Sequence, residues 1–215
     1  MLCFMHDESA VVLEVRKGFF NDLRYDSDEA IILNLPAADD DIWRAVEEVD
    51  AVSMEECVLR CIDCEIPSLR DAIDDAIDQE GGIGMANEFA KSLAQKEQIW
   101  HEEDWIKYKA LLSVTGHPSL QDAIQLMHGL EQYELLPEVT GSSEYVEFNL
   151  RKKCPDLPKE LFQTAQAFQI GWQMLEDDNA IITAYGVLRR KDGGHLPFFH
   201  SGQEKQHELG GMEMM

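Results

Sequence analysis

The residues best placed to do chemistry are three cysteines in the run Cys57-Val-Leu-Arg-Cys61-Ile-Asp-Cys64. Radical enzymes use this spacing to hold an iron–sulfur cluster through three thiolates, which requires the sulfurs to converge. Convergence depends on local structure. Residues 54–66 read as extended, so Cys57 and Cys61 share one face, Cys64 takes the other, and the sulfurs diverge. The chain is also short for the barrel that such chemistry needs. Buried, small, apolar thiols are therefore expected, and no cluster.

Other chemical motifs fare no better. Gly81-Gly82-Ile83-Gly84 precedes a helix, as a phosphate cradle does, but no Lys-Ser/Thr follows and Asp78 and Glu80 stand just before it. A helix–helix turn is expected there. The histidines at 6, 101, 117, 128, 195, 200 and 207 form no His-Glu-x-x-His pair, and His101 with Glu102, Glu103 and Asp104 reads as a solvated helix start. No Gly-x-Ser-x-Gly elbow exists. The reading is a non-enzyme with no catalytic residue, no metal and no cofactor.

The elements that carry these residues follow from periodicity. Val11, Leu13 and Val15 alternate along a strand, a polar turn falls at Asp26-Ser27-Asp28, and a second strand runs from Ile31 to Leu35 until Pro36. Asp39-Asp40-Asp41 then precede Ile42, Trp43, Val46 and Val49 at helical spacing, where a helix N-terminus favours anions and caps. With the 54–66 strand this predicts a β-β-α-β unit, a small twisted antiparallel sheet with a helix on one face. From Pro67 to Val114 the pattern is helical in three pieces, broken at Gly81-Gly82 and near Gln98. In the first piece Leu69, Ala72, Ile73, Ala76 and Ile77 form an apolar stripe opposite Asp71, Asp74, Asp75 and Asp78. Ser119 caps a helix expected to run through Leu130, short helices follow at 142–150 and 158–175, and Ala180–Leu188 reads as one strand. The fold class is α+β, with small antiparallel sheets and helices in two or three small domains. The expected boundaries are 1–66, a helical middle 67–116, an α+β domain 117–190, and a disordered tail 191–215.

Charge is the outlier, because 42 acidic against 18 basic side chains give a net charge of −24. The excess is uneven: residues 1–80 hold 22 acidic and 6 basic side chains, residues 81–150 hold 11 and 4, and residues 151–215 hold 9 and 8. Duplex DNA is bound by basic side chains that displace counterions from phosphates, so direct nucleic-acid binding is not expected. A partner with a basic groove is the natural complement. No apolar run could span a bilayer, and Met1–Met5 lacks a signal peptide's basic start and apolar stretch, so a cytoplasmic protein is expected. The five cysteines, odd in number and without an even framework, read as reduced thiols.

The stretch His117-Pro-Ser-Leu-Gln-Asp-Ala-Ile-Gln-Leu-Met-His-Gly-Leu-Glu-Gln-Tyr-Glu-Leu-Leu-Pro-Glu-Val139 resembles the ArdA family of antirestriction proteins. That family has a Ser-led helix start, Asp-x-Ile-x-Leu, an Asn-Leu-Asp/Glu-x-Tyr step, then a Pro and a Val; Gly129 stands where the step has Asn. In the same order, Asn87-Glu88-Phe89-Ala90 looks like its Leu-Asn-Glu-Leu-Ala helix, Leu157-Pro158-x-Glu-Leu161 like its Leu-Pro-x-x-Leu, and Tyr185-Gly186-Val187 like its closing Gly-Tyr-Val region. The resemblance covers about residues 31–190. The first 30 residues and the tail depart from it, and Ala167-Phe-Gln-Ile-Gly171 only loosely echoes the family's Asp-Tyr-x-x-x-Gly-Arg-Asp. It implies an elongated homodimer of three small α+β domains per chain, encoded on mobile genetic elements, whose surface mimics bent DNA in the DNA-binding cleft of type I restriction–modification enzymes.

The carboxylates expected to stand in for phosphates are Asp39, Asp40, Asp41, Glu47, Glu48, Asp71, Asp74, Asp75, Asp78, Glu102, Glu103 and Asp104. Residues three or four apart on a helix rise about 4.5–6 Å, close to the separation of successive phosphates along a strand. The competing reading is an acidic inhibitor of another basic protein, such as a CRISPR nuclease. Halophilic adaptation would spread the acidity evenly, and the near-neutral final third instead suits self-association.

Overall fold

The computed structural model describes residues 9–18, 30–78 and 82–200. It is an α+β protein with small antiparallel sheets and several helices. The chain forms two compact units. One holds the described residues up to Trp100 together with Ser119–Ile124; the other holds His101–Pro118 and the described residues from Gln125 onward.

The first unit is built on strands β1 (Val11–Lys17), β2 (Ile31–Leu35) and β3 (Cys57–Cys64), in the order β2-β1-β3, all antiparallel. Val11, Leu13 and Val15 are buried, so the alternation of β1 sets the core face. Three helices follow: α1 (Asp39–Glu48) packs against β2, α2 (Arg70–Ile77) against β3, and α3 (Gly82–Glu97) against both α2 and β2. A Cβ on Gly82 would lie 1.6 Å from the Ala76 carbonyl oxygen, so α3 begins this close to α2 only because residue 82 has no side chain. Buried Asn87 of α3 clamps the entry to α1: its Nδ2 donates to the Ala37 carbonyl and its Oδ1 accepts from the Ala37 N–H, each at 2.9 Å. The polar turn expected at Asp26-Ser27-Asp28 lies outside the described residues, as does Gly81.

The expected capping of α1 is corrected in one respect. The triple Asp opens the first turn, but the N-cap position is Ala38 and no side chain caps the helix. Its carboxylates act there only as anions near the positive end of the helix.

The second unit carries β4 (Tyr133–Leu136), β5 (Ile181–Thr183) and β6 (Gly186–Arg190), in the antiparallel order β4-β6-β5. The single strand expected over 180–188 is thus a hairpin turning at Ala184-Tyr185, and β4 is a strand that periodicity did not reveal. Helix α4 (Glu102–Val114) packs on all three strands, while α6 (Ser142–Arg151) and α7 (Ala165–Asp177) pack on each other. Leu136, Val139, Tyr145, Leu175 and Val187 form a core between them. Within the segment from Lys191 read as a disordered tail, Phe199 is held: its N–H donates to the Thr115 carbonyl at 2.7 Å, and its carbonyl accepts from the His117 N–H at 3.1 Å.

Helix α5 (Leu120–His128) begins as the Ser119 cap predicts. Ser119 N–H and Oγ donate to Asp122 Oδ2 at 3.1 and 2.6 Å, and the Asp122 N–H donates back to Ser119 Oγ at 3.2 Å. The helix stops two residues short of expectation, at His128. Among the described residues no helix is long and apolar enough to cross a membrane.

Candidate acidic interaction surface

The apolar positions of α1 decide where its charges point. Ile42, Ala45 and Val46 are buried, which leaves Asp39, Asp40, Asp41, Trp43, Arg44, Glu47 and Glu48 exposed. Arg44 pairs with Asp41 at 2.9 Å. Asp40, Trp43, Arg44 and Glu47 stand one turn apart on the outward side.

On α2 Ile73, in the middle of the apolar stripe, is buried, and Asp71, Asp75 and Asp78 are exposed. Asp74 is different. It is half-buried, and its Oδ1 accepts the Cys61 N–H of β3 at 2.7 Å, so it ties helix to sheet instead of facing solvent. Asp74→Ala is expected to destabilise the protein by about 1–3 kcal/mol by orphaning that N–H, whereas Asp71→Ala should lie within about 0.5 kcal/mol of wild type. Denaturant unfolding of the two variants distinguishes the roles.

Asp104 is likewise occupied. It accepts the His101 N–H at 3.4 Å and pairs with Lys107 at 3.4 Å, as a helix start requires. Glu102 and Glu103 are exposed in the same first turn. These two belong to the second unit; the carboxylates of α1 and α2 belong to the first.

Position along the helix separates carboxylates that help folding from those that do not. Asp39, Asp40, Asp41, Asp71, Glu102 and Glu103 sit in first turns, where an anion stabilises by about 0.3–1 kcal/mol. Glu47 and Glu48 end α1, and Asp75 and Asp78 end α2, next to the negative pole of each helix; neither last turn contains a basic residue. Burial pushes the Asp78 carboxyl above its ordinary range, and the charges of Asp74 and Asp75 push it the same way. These four carboxylates oppose the stability of the helices that carry them.

The cysteines are arranged differently from the expectation. The pairing of β3 with β1 slips between Asp63, opposite Val12, and Cys61, opposite Leu13, so Ile62 is an extra, bulged residue. The bulge returns Cys64 to the face of Cys61, and both are buried, opposite Val11 and Leu13. The three sulfurs still do not meet, since Cys57 lies four residues and about 13 Å along the strand from Cys61. Among the described residues no group of three or more His, Cys, Asp or Glu is placed to hold a metal ion. Burial pushes the Cys61 thiol up to about 12, with Cys64 and Asp74 adding to it, and pushes Cys64 up to about 11. The thiolate is the reactive form, so at pH 8 iodoacetamide should label exposed Cys154 within minutes and leave Cys61 and Cys64 unlabelled until the protein is denatured. Peptide mass mapping of native and unfolded protein reads this directly.

A cluster in the second unit has no signature in the sequence. Arg189 Nε donates to Glu134 Oε2 at 2.8 Å, its Nη1 donates to Tyr145 Oη at 2.8 Å, and Tyr145 Oη donates to Asp178 Oδ2 at 2.6 Å. The partners are 11 to 55 residues away from Arg189, so only the sheet pairing and the α6–α7 packing bring them together. Glu134, Asp178 and Arg189 border a shallow cavity of about 290 Å³ that Arg190, Lys191 and Gly193 also line. Burial, and donation to Asp178, push the Tyr145 phenol up to about 12, so it stays protonated and acts as a donor. The guanidinium is already matched by two carboxylates, which makes the cluster a structural tie.

Compared with known proteins, the chain matches no family model and no curated protein. Fold and surface together define a class: an α+β protein whose outward helix faces in the first unit carry carboxylates that folding does not require.

Proposed function

We propose that this protein is a non-catalytic DNA decoy, resembling the ArdA antirestriction proteins, that competitively occupies the DNA-binding site of a type I restriction–modification enzyme. Carboxylates take the place of phosphates, and no bond is made or broken. The observation that carries the reading is the placement of Glu47, Glu48, Asp75 and Asp78 at helix C-termini, where they oppose stability and face solvent. A charge retained against folding is accounted for by a partner that reads it. Asp39, Asp40, Asp71, Glu102 and Glu103 extend the same exposed acidity, while Asp41 is partly neutralised by Arg44, and Asp74 and Asp104 serve the fold. In this reading the protein acts in the cytoplasm of a bacterium carrying a mobile element or phage, as an elongated homodimer, without a cofactor and without touching DNA.

The test is DNA cleavage and methylation by a type I enzyme, titrated with the protein at about 50 and 200 mM salt. The reading expects competitive inhibition of both activities, steep at low salt and much weaker at high salt, as phosphate contacts are. Absence of inhibition at any ratio overturns it. A pull-down that then retrieves another basic nucleic-acid enzyme would move the same acidic surface to a different target.

A further inference from the structure

We propose that Trp43, on the outward side of α1, is where an arginine of the protein partner docks, its guanidinium lying on the indole face and held at its edge by carboxylates one turn away. The proposal rests on the decoy reading for the identity of the partner and adds to it the side chain that the partner must present.

The packing of α1 makes the ring available. Ile42, Ala45 and Val46 supply the buried side of the helix, and Trp43 is left 51% exposed. Residues three and four apart are neighbours on a helix surface, and at those spacings the exposed neighbours of Trp43 are all carboxylates, Asp39, Asp40 and Glu47. The chain's own cations do not cover the indole. Arg44 pairs with Asp41 at 2.9 Å. Among the described residues the cations found over rings are Lys96 on Trp100, Arg151 on Phe162, Lys152 on Phe148 and Arg189 on Tyr145. The exposed rings of α7 are arranged otherwise, since Phe168 and Trp172 meet each other edge to face with centroids 6.2 Å apart.

Chemistry selects the occupant. The face of an indole carries negative charge density and attracts a cation more strongly than the ring of Tyr or Phe does. Arginine fits this place better than lysine. Its planar guanidinium stacks flat on the ring while its edge N–H groups donate to carboxylates, and it is more weakly hydrated than an ammonium. A nucleic acid does not fit: a base could stack on the indole, but its phosphates would meet Asp39, Asp40 and Glu47. Trp and Arg are also the side chains that carry most of the affinity where proteins meet, so Trp43 is assigned the part of α1 binding that charge alone does not supply.

Inhibition of DNA cleavage by a type I enzyme, measured for wild type, Trp43→Leu and Trp43→Phe between about 50 and 200 mM salt, tests this. Leucine keeps an apolar helix former and removes the π face, so it is expected to raise the inhibition constant about 10-fold, and phenylalanine about 3-fold. The slope of affinity against salt should stay that of the wild type, because no ion pair is lost, whereas removing a carboxylate lowers it. Full inhibition by Trp43→Leu with an unchanged circular dichroism spectrum overturns the proposal and leaves the decoy reading standing. If the leucine variant unfolds, the phenylalanine variant decides in the same way.

A second arm does not need the enzyme. Fluorescence anisotropy of labelled nona-arginine and nona-lysine at about 150 mM salt compares two probes of equal charge. The wild type is expected to bind nona-arginine about 10-fold more tightly, and Trp43→Leu to reduce that preference to about 3-fold or less. An undiminished preference in the folded variant overturns the proposal. This holds even if the wild type inhibits no type I enzyme, so failure of the arginine site and failure of the decoy reading remain distinct.

Discussion

Replacing Glu47, Glu48, Asp75 and Asp78 together by lysine is expected to make the protein more stable and abolish its inhibition of DNA cleavage. Each change exchanges an anion for a cation at a helix C-terminus, where the aligned backbone carbonyls favour positive charge by about 0.3–1 kcal/mol. It also relieves like-charge repulsion within α2, where Asp74 and Asp78 are one turn apart, a term of about 0.2–0.5 kcal/mol. All four positions are exposed, so screening reduces these terms, and a gain of about 1–2 kcal/mol in chemical denaturation is expected. Binding moves the other way. Four attractive contacts become repulsive, at about 1 kcal/mol each, which lowers affinity on the order of 10²–10³-fold. The discriminating result is the opposite sign of the two effects. A variant that is both more stable and fully inhibitory would sink the assignment of these carboxylates as phosphate mimics.

Gly171→Ala is expected to destabilise the second unit strongly. The added Cβ would lie 2.0 Å from the Ser142 carbonyl oxygen and 2.9 Å from its Cβ, and backbone atoms cannot turn away as a flexible side chain can. Helices α6 and α7 must then separate, opening the core around Tyr145 and Leu175; overpacking of this kind costs about 3 kcal/mol or more. Ser142→Ala at the same contact should do the reverse. The Ser142 hydroxyl is buried and makes no hydrogen bond, so removing it should leave stability unchanged or raise it by about 1 kcal/mol. Urea unfolding of the pair checks both. A wild-type midpoint for Gly171→Ala would mean that α7 does not lie directly on Ser142.

Much of the scaffold was legible along the chain because it is governed by neighbours a few residues apart. The alternation of Val11, Leu13 and Val15 marked the core face of β1, the stripe through Ile73 marked α2, and Ser119 marked the start of α5. The misses have physical causes. β4 is four residues long and shows no alternation, and the turn between β5 and β6 interrupts an apolar run that reads continuously as one strand. Sequence spacing placed Cys64 opposite Cys61 because period-2 counting has no means of detecting a bulge, which exists only relative to the partner strand.

The amino-acid sequence by itself determined the sign and location of the charge, the α+β class, the N-termini of several helices, and the absence of any familiar catalytic spacing. These depend on composition and on period, which are local properties. The tertiary structure alone decided which carboxylates are spent on the fold and which face outward: Asp74 reaches β3 from thirteen residues away, whereas Asp75 beside it points into solvent. It also decided that Arg189 joins Glu134, Tyr145 and Asp178, and that Phe168 and Trp172 are left exposed on α7. A helical period orients side chains about their own axis, but only packing against a second element determines which of them meets protein and which meets water.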